Sequence, residues 1–75
     1  MVPRERLINK LRELNYTYAD QTDKSQLWRK RGGTHCVWLR RKEDPVSLTY
    51  VAHVLRQCGV AQAEIDLFIA QNRCH

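Results

Sequence analysis

The sequence contains no long apolar run, and its first ten residues, MVPRERLINK, lack the apolar stretch of a signal peptide. A transmembrane helix needs about 20 consecutive apolar residues, so a membrane protein is not expected. The 75 residues suffice for one domain, and a domain this small buries only about 60% of the surface that its unfolded chain exposes. We therefore expect a single cytoplasmic domain over residues 1–75, with a loose tail at residues 72–75 and no deeply buried multi-residue active site.

Cysteine is scarce, and the three cysteines are odd in number and unrelated in spacing, which favours reduced thiols over a disulfide framework. Possible metal ligands occur in three places, namely His35 with Cys36, His53 with Cys58, and Cys74 with His75. None of these has the tight Cys-x-x-Cys or His-x-x-x-His spacing that arranges a tetrahedral site in advance. We predict neither a metal nor a cofactor.

Acidic residues are absent from residues 24–42, which contain seven lysines and arginines. Residues 57–75, by contrast, contain two acids and a single arginine. The formal net charge of +5 is therefore concentrated in one part of the chain. Segregation of this kind indicates a face that binds a polyanion. A solvated basic surface without a partner is the alternative.

The first segment has the pattern of a helix. Pro3 suits an opening helical turn, and Asn15 suits the residue that follows the last turn. Between them, aliphatic residues recur at helical spacing and form one apolar face: Leu7, Ile8, Leu11 and Leu14.

After this helix the pattern changes to that of strands. Residues 16–19 are β-branched and aromatic, and residues 20–25 form a polar loop. Two further strands are predicted at residues 26–31 and 34–41. The Gly-Gly pair between them predicts a two-residue hairpin turn, because such turns need a positive φ that glycine adopts without steric cost.

Two helices follow the sheet. Pro45 ends the last strand because it cannot donate to a strand ladder. Ser47 caps the next helix, Gly59 ends it, and a third helix covers about residues 61–72. The predicted fold is α+β, with a helix, a three-stranded antiparallel sheet and then two helices, all packed on one face of the sheet.

The turn also determines which strand residues share a face, because side chains alternate across a strand. A two-residue turn pairs Arg29 with Cys36 and Leu27 with Trp38. One face then contains Trp28, Val37 and Leu39, with Lys30 and His35 near the turn. The other contains Leu27, Arg29, Arg31, Cys36, Trp38 and Arg40. We expect the first face to pack beneath the helices and the second to face solvent, whereas a one-residue slip would exchange them.

The second face has the composition of an RNA-contact surface. Guanidinium groups bind phosphate through paired donors, and a flat indole stacks against a base. We therefore predict single-stranded or looped RNA as the partner. The alternative is that Trp38 packs against a second copy of the chain or against an antitoxin-like protein. The predicted RNA-binding residues are Lys24, Arg29, Lys30, Arg31, Trp38, Arg40, Arg41 and Lys42.

The layout of the chain is similar to that of one known family. With LINKLRELNYTY at residues 7–18 and VLRQCGV at residues 54–60, it resembles the HicA toxins over about Arg4 to Phe68. The resemblance implies a small bacterial mRNA interferase, which is an endoribonuclease, with a double-stranded-RNA-binding-domain-like fold. It also implies a cognate antitoxin as a protein partner.

The catalytic histidine of that family is not found at the corresponding position. In the family it lies in a Gly-Ser-His-type motif between the first two strands, and residues 24–26, which correspond to it here, contain no histidine. His35 follows a Gly-Gly-Thr segment in the hairpin turn one strand later. Because imidazole titrates near neutral pH, His35 is the candidate base for attack by a 2′-hydroxyl group. The nearest loop acids, Asp20 and Asp23, belong to a different loop.

Three functions are therefore open. The residue pattern favours an RNA-binding module of HicA-like fold. The first alternative is an active endoribonuclease with His35 as its base. The second alternative is a protein-interaction module or homodimer that has no role with RNA.

Overall fold

Three helices and three strands follow one another in the predicted order in the computed structural model, which describes residues 1–74. The strands form one antiparallel sheet in the order β1-β2-β3. The predicted α+β class is confirmed, with a helix, a three-stranded antiparallel sheet and two further helices. The elements are α1 Arg4–Glu13, β1 Tyr16–Gln21, β2 Ser25–Lys30, β3 Cys36–Arg40, α2 Leu48–Gln57 and α3 Gln62–Asn72.

Two residues with distinctive backbone preferences flank α1. Pro3 precedes the helix with φ of −57°, close to the value that its ring imposes. Asn15 follows it with φ of 68°, in the left-handed region that asparagine adopts more readily than most residues. The chain reverses there, so the last turn of α1 lies beside the start of β1.

The register of β2 and β3 is the predicted one, with Arg29 opposite Cys36 and Leu27 opposite Trp38. The predicted division into two faces is confirmed as well. Trp28 is 3% exposed beneath the helices, whereas Trp38, on the opposite face, is 50% exposed. The helices therefore cover one face of the sheet and leave the other to solvent.

The hairpin turn is longer than predicted, and the two-residue turn is wrong. Residues 31–34 all leave the ladder, whose last pair is closed by the Lys30 N–H donating to the His35 carbonyl at 2.8 Å. A second bond runs from the Gly33 N–H to the Lys30 carbonyl (3.2 Å), and Gly32 has φ of 76°. The register of β2 and β3 is unchanged because the longer turn removes the same number of residues from each of the two strands.

A single core fills the space between the sheet and the helices. Its sheet side is built from alternate residues of the strands, and its helix side from the apolar stripes of α1, α2 and α3. The buried residues are Val2, Leu7, Leu11, Tyr16, Trp28, Val37, Leu39, Val46, Val51, Ala52, Val54, Leu55, Ile65 and Phe68.

The ends of α2 also follow the sequence-based prediction. The Ser47 hydroxyl accepts a hydrogen bond from the Tyr50 N–H at 3.3 Å, which satisfies one of the free donors of the first turn. Gly59 ends this segment with φ of 80°. The third helix occupies almost the predicted range and buries Ile65 and Phe68.

Part of the predicted loose tail is held in place. Asn72 is the last residue of α3, and the Cys74 N–H donates to the Met1 carbonyl at 2.6 Å. His75 lies outside the described residues. All three cysteines are free. None of the helices described is long and apolar enough to cross a membrane.

Candidate nucleic-acid interface

The sheet face turned away from the helices, which we term the outer face, is formed by three cross-strand rows. A bulge between Tyr18 and Asp20 shifts the register of β1 and aligns the Asp20 carboxylate with Leu27. The outer face thus contains one acid that was not among the predicted contacts. Its residues are Thr17, Asp20, Ser25, Leu27, Arg29, Cys36, Trp38 and Arg40.

Trp38 lies in the central row of the outer face. Leu27 pairs with it across the strands, and Arg29 and Arg40 belong to the rows on either side. Because a strand rises about 3.3 Å per residue, these outer rows are about 13 Å apart with the indole between them. A half-exposed indole flanked by cations along the strand offers a flat surface for stacking and, beyond it, donors for phosphate.

Arg40 and Arg41 are both engaged with the protein, which the prediction did not anticipate. The Arg40 guanidinium lies 4.4 Å from the centroid of the Tyr50 ring and 3.7 Å from a Glu43 carboxylate oxygen. Arg41 is half-buried and donates to the Thr22 carbonyl at 3.0 Å, which ties it to the loop between β1 and β2. Arg41 therefore supports that loop. On the outer face, Arg40 is less available to a ligand than Arg29, the other arginine there.

Two of the predicted contacts lie at the turn, away from the outer face. Arg31 lies in the turn beyond the end of β2, and its N–H donates to the Asn15 carbonyl at 2.7 Å, so the strand register does not place its side chain beside Trp38. Lys30 pairs with Tyr16 on the helix side of the sheet and is exposed. At this end, Arg29 is the cation that the register places on the outer face.

The remaining two predicted contacts lie at the opposite end of the hairpin. Lys24 and Lys42 are exposed and line a groove of about 650 Å³ together with Arg40. Two acids, Asp23 and Glu43, line the same groove and partly offset its positive charge. The predicted basic surface is thus divided between two ends of the sheet.

His35 does not share a face with Trp38. Its Nε2 lies 2.6 Å from the Gln57 carbonyl oxygen at the end of α2, and its ring meets Tyr16 edge-on at 6.1 Å. A carbonyl can only accept, so Nε2 carries the proton and donates it. Within residues 1–74, the ion pairs do not include His35. The arrangement holds the imidazole against the second helix and supplies no carboxylate to orient it as a base.

Two residues that sequence reasoning did not identify hold the strands of the site in place. The Arg4 guanidinium donates to the Gln26 side chain at 2.7 Å and to the Arg40 carbonyl, and burial lowers the pKa of Arg4. The Tyr50 hydroxyl donates to the Trp38 carbonyl (3.4 Å) and accepts from the Arg40 N–H (3.2 Å). These contacts join residues from distant parts of the chain, so no local sequence pattern indicates them.

A buried pair lies beneath the turn. Burial raises the pKa of Tyr16 to about 12, and the proximity of Cys58 adds to the effect. Burial also raises the pKa of the Cys58 thiol. Both groups are therefore neutral near pH 7, and Cys58 lacks the thiolate character of a reactive cysteine.

The geometry of the outer face suits binding better than cleavage. It offers an exposed indole and exposed cations, and the histidine lies on the other side of the sheet. The described part of the chain contains no group of three or more histidine, cysteine or acidic residues placed to hold a metal ion.

Comparison with protein-family models, curated proteins and solved structures gives no match.

Proposed function

We propose that the protein is a cytoplasmic RNA-binding domain of HicA-like architecture that holds single-stranded or looped RNA on its outer face. The observation that carries this proposal is Trp38, whose indole is 50% exposed in the central row of the outer face, on the edge strand β3, in a chain of net charge +5. An exposed indole beside cations offers a flat surface on which a base can stack while the cations hold the adjoining phosphates.

In this proposal a base stacks on Trp38, and the phosphates on either side meet the cations of the two ends. Arg29 contacts the backbone on the turn side of the indole. Lys24 and Lys42 contact it on the other side, where Arg40 is partly neutralised by Glu43. Stacking tolerates any base, because every base has a flat π-face, so sequence preference is expected to be modest.

The test of this proposal is the affinity of Trp38→Ala for a labelled single-stranded oligoribonucleotide, measured by fluorescence anisotropy. Loss of one base stack costs about 1–3 kcal/mol, so affinity should fall by about fivefold to 150-fold. Leu67→Ala is the matched control, because Leu67 is a similarly exposed apolar residue on α3. Equal affinities for wild type and Trp38→Ala would overturn the proposal.

We further propose that the protein binds RNA without cutting it, because His35, the one candidate base, lies against Tyr16 and the end of α2 on the side of the sheet opposite Trp38. Purified protein should leave the oligoribonucleotide at full length on a denaturing gel. Fragments that appear with wild type and disappear with His35→Ala would contradict this and favour the endoribonuclease. Glu64→Ala, an exposed substitution on α3, controls for a contaminating nuclease.

A further inference from the structure

A second positively charged feature lies on the helix side of the sheet edge, between the end of α1 and the hairpin turn. It is a cavity of about 220 Å³ whose walls include Arg12, Arg31, Tyr18 and Trp28. None of these side chains belongs to the outer face, and Arg12 was not among the residues predicted to bind RNA. We refer to this feature as the arginine cavity.

Both arginines are held in the cavity by contacts that the fold supplies. Arg12 lies in the last turn of α1, and its guanidinium carbon is 5.8 Å from the centroid of the Trp28 ring. Arg31 is fixed through its backbone, because its N–H donates to the Asn15 carbonyl at 2.7 Å. The left-handed conformation of Asn15 brings these two segments together.

The two guanidinium groups have no anionic partner of their own. Among residues 1–74, the ion pairs found involve other cations, so no carboxylate neutralises Arg12 or Arg31. The carboxyl end of a helix carries about half a negative charge, which opposes an incoming anion. Two full positive charges outweigh it, and an anion with two negative charges would balance them.

The aromatic walls add a stacking surface. Tyr18 is 50% exposed and meets Trp28 nearly perpendicularly, with ring centroids 6.2 Å apart. The Trp28 Nε1–H is buried and has no acceptor among the residues described. Because this atom is shielded from solvent, a ligand in the cavity meets the exposed Tyr18 ring rather than the Trp28 N–H.

We propose that the arginine cavity binds a phosphate monoester, either the 5′-phosphate of an RNA strand or a free mononucleotide. A monoester carries nearly two negative charges at neutral pH, whereas an internal phosphodiester carries one, and two guanidinium groups match the former. The exposed Tyr18 ring is positioned at the same site for the adjoining base. This site is separate from Trp38, because its aromatic walls, Tyr18 and Trp28, pair with each other on the helix side of the sheet; Thr17 is the outer-face residue that also lines it.

The test is a nuclear magnetic resonance titration with inorganic phosphate and then with adenosine monophosphate. The chain has two tryptophans, so the Trp28 indole signal reports on the cavity and the Trp38 signal on the outer face. Phosphate should shift the Trp28 indole and the Arg31 amide saturably and leave the Trp38 indole in place. Arg12→Gln and Arg31→Gln should each weaken binding about tenfold, because each removes a charge-assisted contact. Arg73→Gln, an exposed arginine outside the cavity, should not.

Two oligoribonucleotides of one sequence, with 5′-phosphate and with 5′-hydroxyl, identify the source of the phosphate. A tighter complex with the 5′-phosphate form that Arg31→Gln abolishes assigns the cavity to RNA ends. Equal affinities, together with saturable binding of adenosine monophosphate, assign it to free mononucleotides. Shifts that do not saturate, or that persist in both arginine variants, would overturn the proposal. Trp38→Ala should keep the phosphate response, so failure of the outer-face proposal is separable from failure of this one.

Discussion

At the scale of single residues, Tyr16 links the start of the sheet to the end of α2. Its side chain is buried, and the proximity of the Cys58 thiol adds to the effect of burial on its pKa. Burial favours the neutral form of each group, so the pKa of each is higher in the folded than in the unfolded protein. The folded state therefore retains protons that the unfolded state releases at alkaline pH.

The resulting prediction concerns stability at high pH. A raised pKa in the folded state contributes stability that is complete below the unfolded pKa and is lost as pH rises through the folded pKa. For Tyr16 this loss extends from its ordinary pKa of 10.0 to about 12. Urea unfolding at increasing pH should show a decline in this window that is shallower in Tyr16→Phe, with Cys58 supplying the rest. Equal slopes for the two proteins would refute it.

Single residues also mark where sequence reasoning was sufficient and where it was not. Asn15, Ser47 and Gly59 have local preferences strong enough to indicate the ends of helices, and each lies where predicted. Arg12 could not be identified, because its proximity to Arg31 depends on the reversal of the chain at Asn15. The local sequence around a cationic side chain does not show whether that side chain binds a ligand or is simply solvated.

At the scale of elements, the hairpin shows that pairing and turn conformation are separate properties. The alternation of apolar and polar residues determines the register, because one face of the sheet must be buried. The Lys30 N–H closes the hairpin by donating to the His35 carbonyl, which leaves four residues in the turn, whereas the Arg31 N–H points toward β1 and donates to the Asn15 carbonyl. The length of the turn therefore follows from which opposed residues form hydrogen-bonded pairs, and the Gly-Gly pair alone does not indicate this.

The two glycines of this turn give a matched pair of substitutions. Gly32 has φ of 76°, and no atom lies within 4 Å of the position that a Cβ would occupy, so an added side chain is disfavoured by conformation alone. Gly32→Ala should lower the free energy of unfolding by about 1–2 kcal/mol. Gly33→Ala, whose Cβ meets only the Lys30 carbonyl at 4.0 Å, should change it by less than about 0.5 kcal/mol. Urea denaturation compares them, and equal losses would show that the conformation of the turn is wrong.

At the scale of the whole molecule, the free edge of β3 is protected by α2. The carbonyl of Trp38 and the N–H of Arg40 point away from β2, and the Tyr50 hydroxyl forms a hydrogen bond with each of them. An edge strand with free groups is a template for pairing with another chain. The second helix thus blocks the growth of the sheet on this side.

Removal of that hydroxyl should therefore affect both stability and association. Tyr50→Phe should lose about 1 kcal/mol of stability and should associate at high concentration through β3. Urea denaturation and sedimentation measure the two effects. Tyr18→Phe is the control, because the Tyr18 hydroxyl has no hydrogen bond within the part of the chain described. A Tyr50→Phe variant as stable and as monomeric as this control would contradict the role of Tyr50.

In the proposed RNA complex, the three rows of the outer face define the length of a stacked strand that uses all of them. Bases stacked as in a duplex rise about 3.4 Å each, so the distance of about 13 Å between the terminal rows corresponds to about four nucleotides. A shorter oligonucleotide reaches the indole and the cations of one end only. The affinity for RNA should therefore rise with each added nucleotide up to that size and level off beyond it.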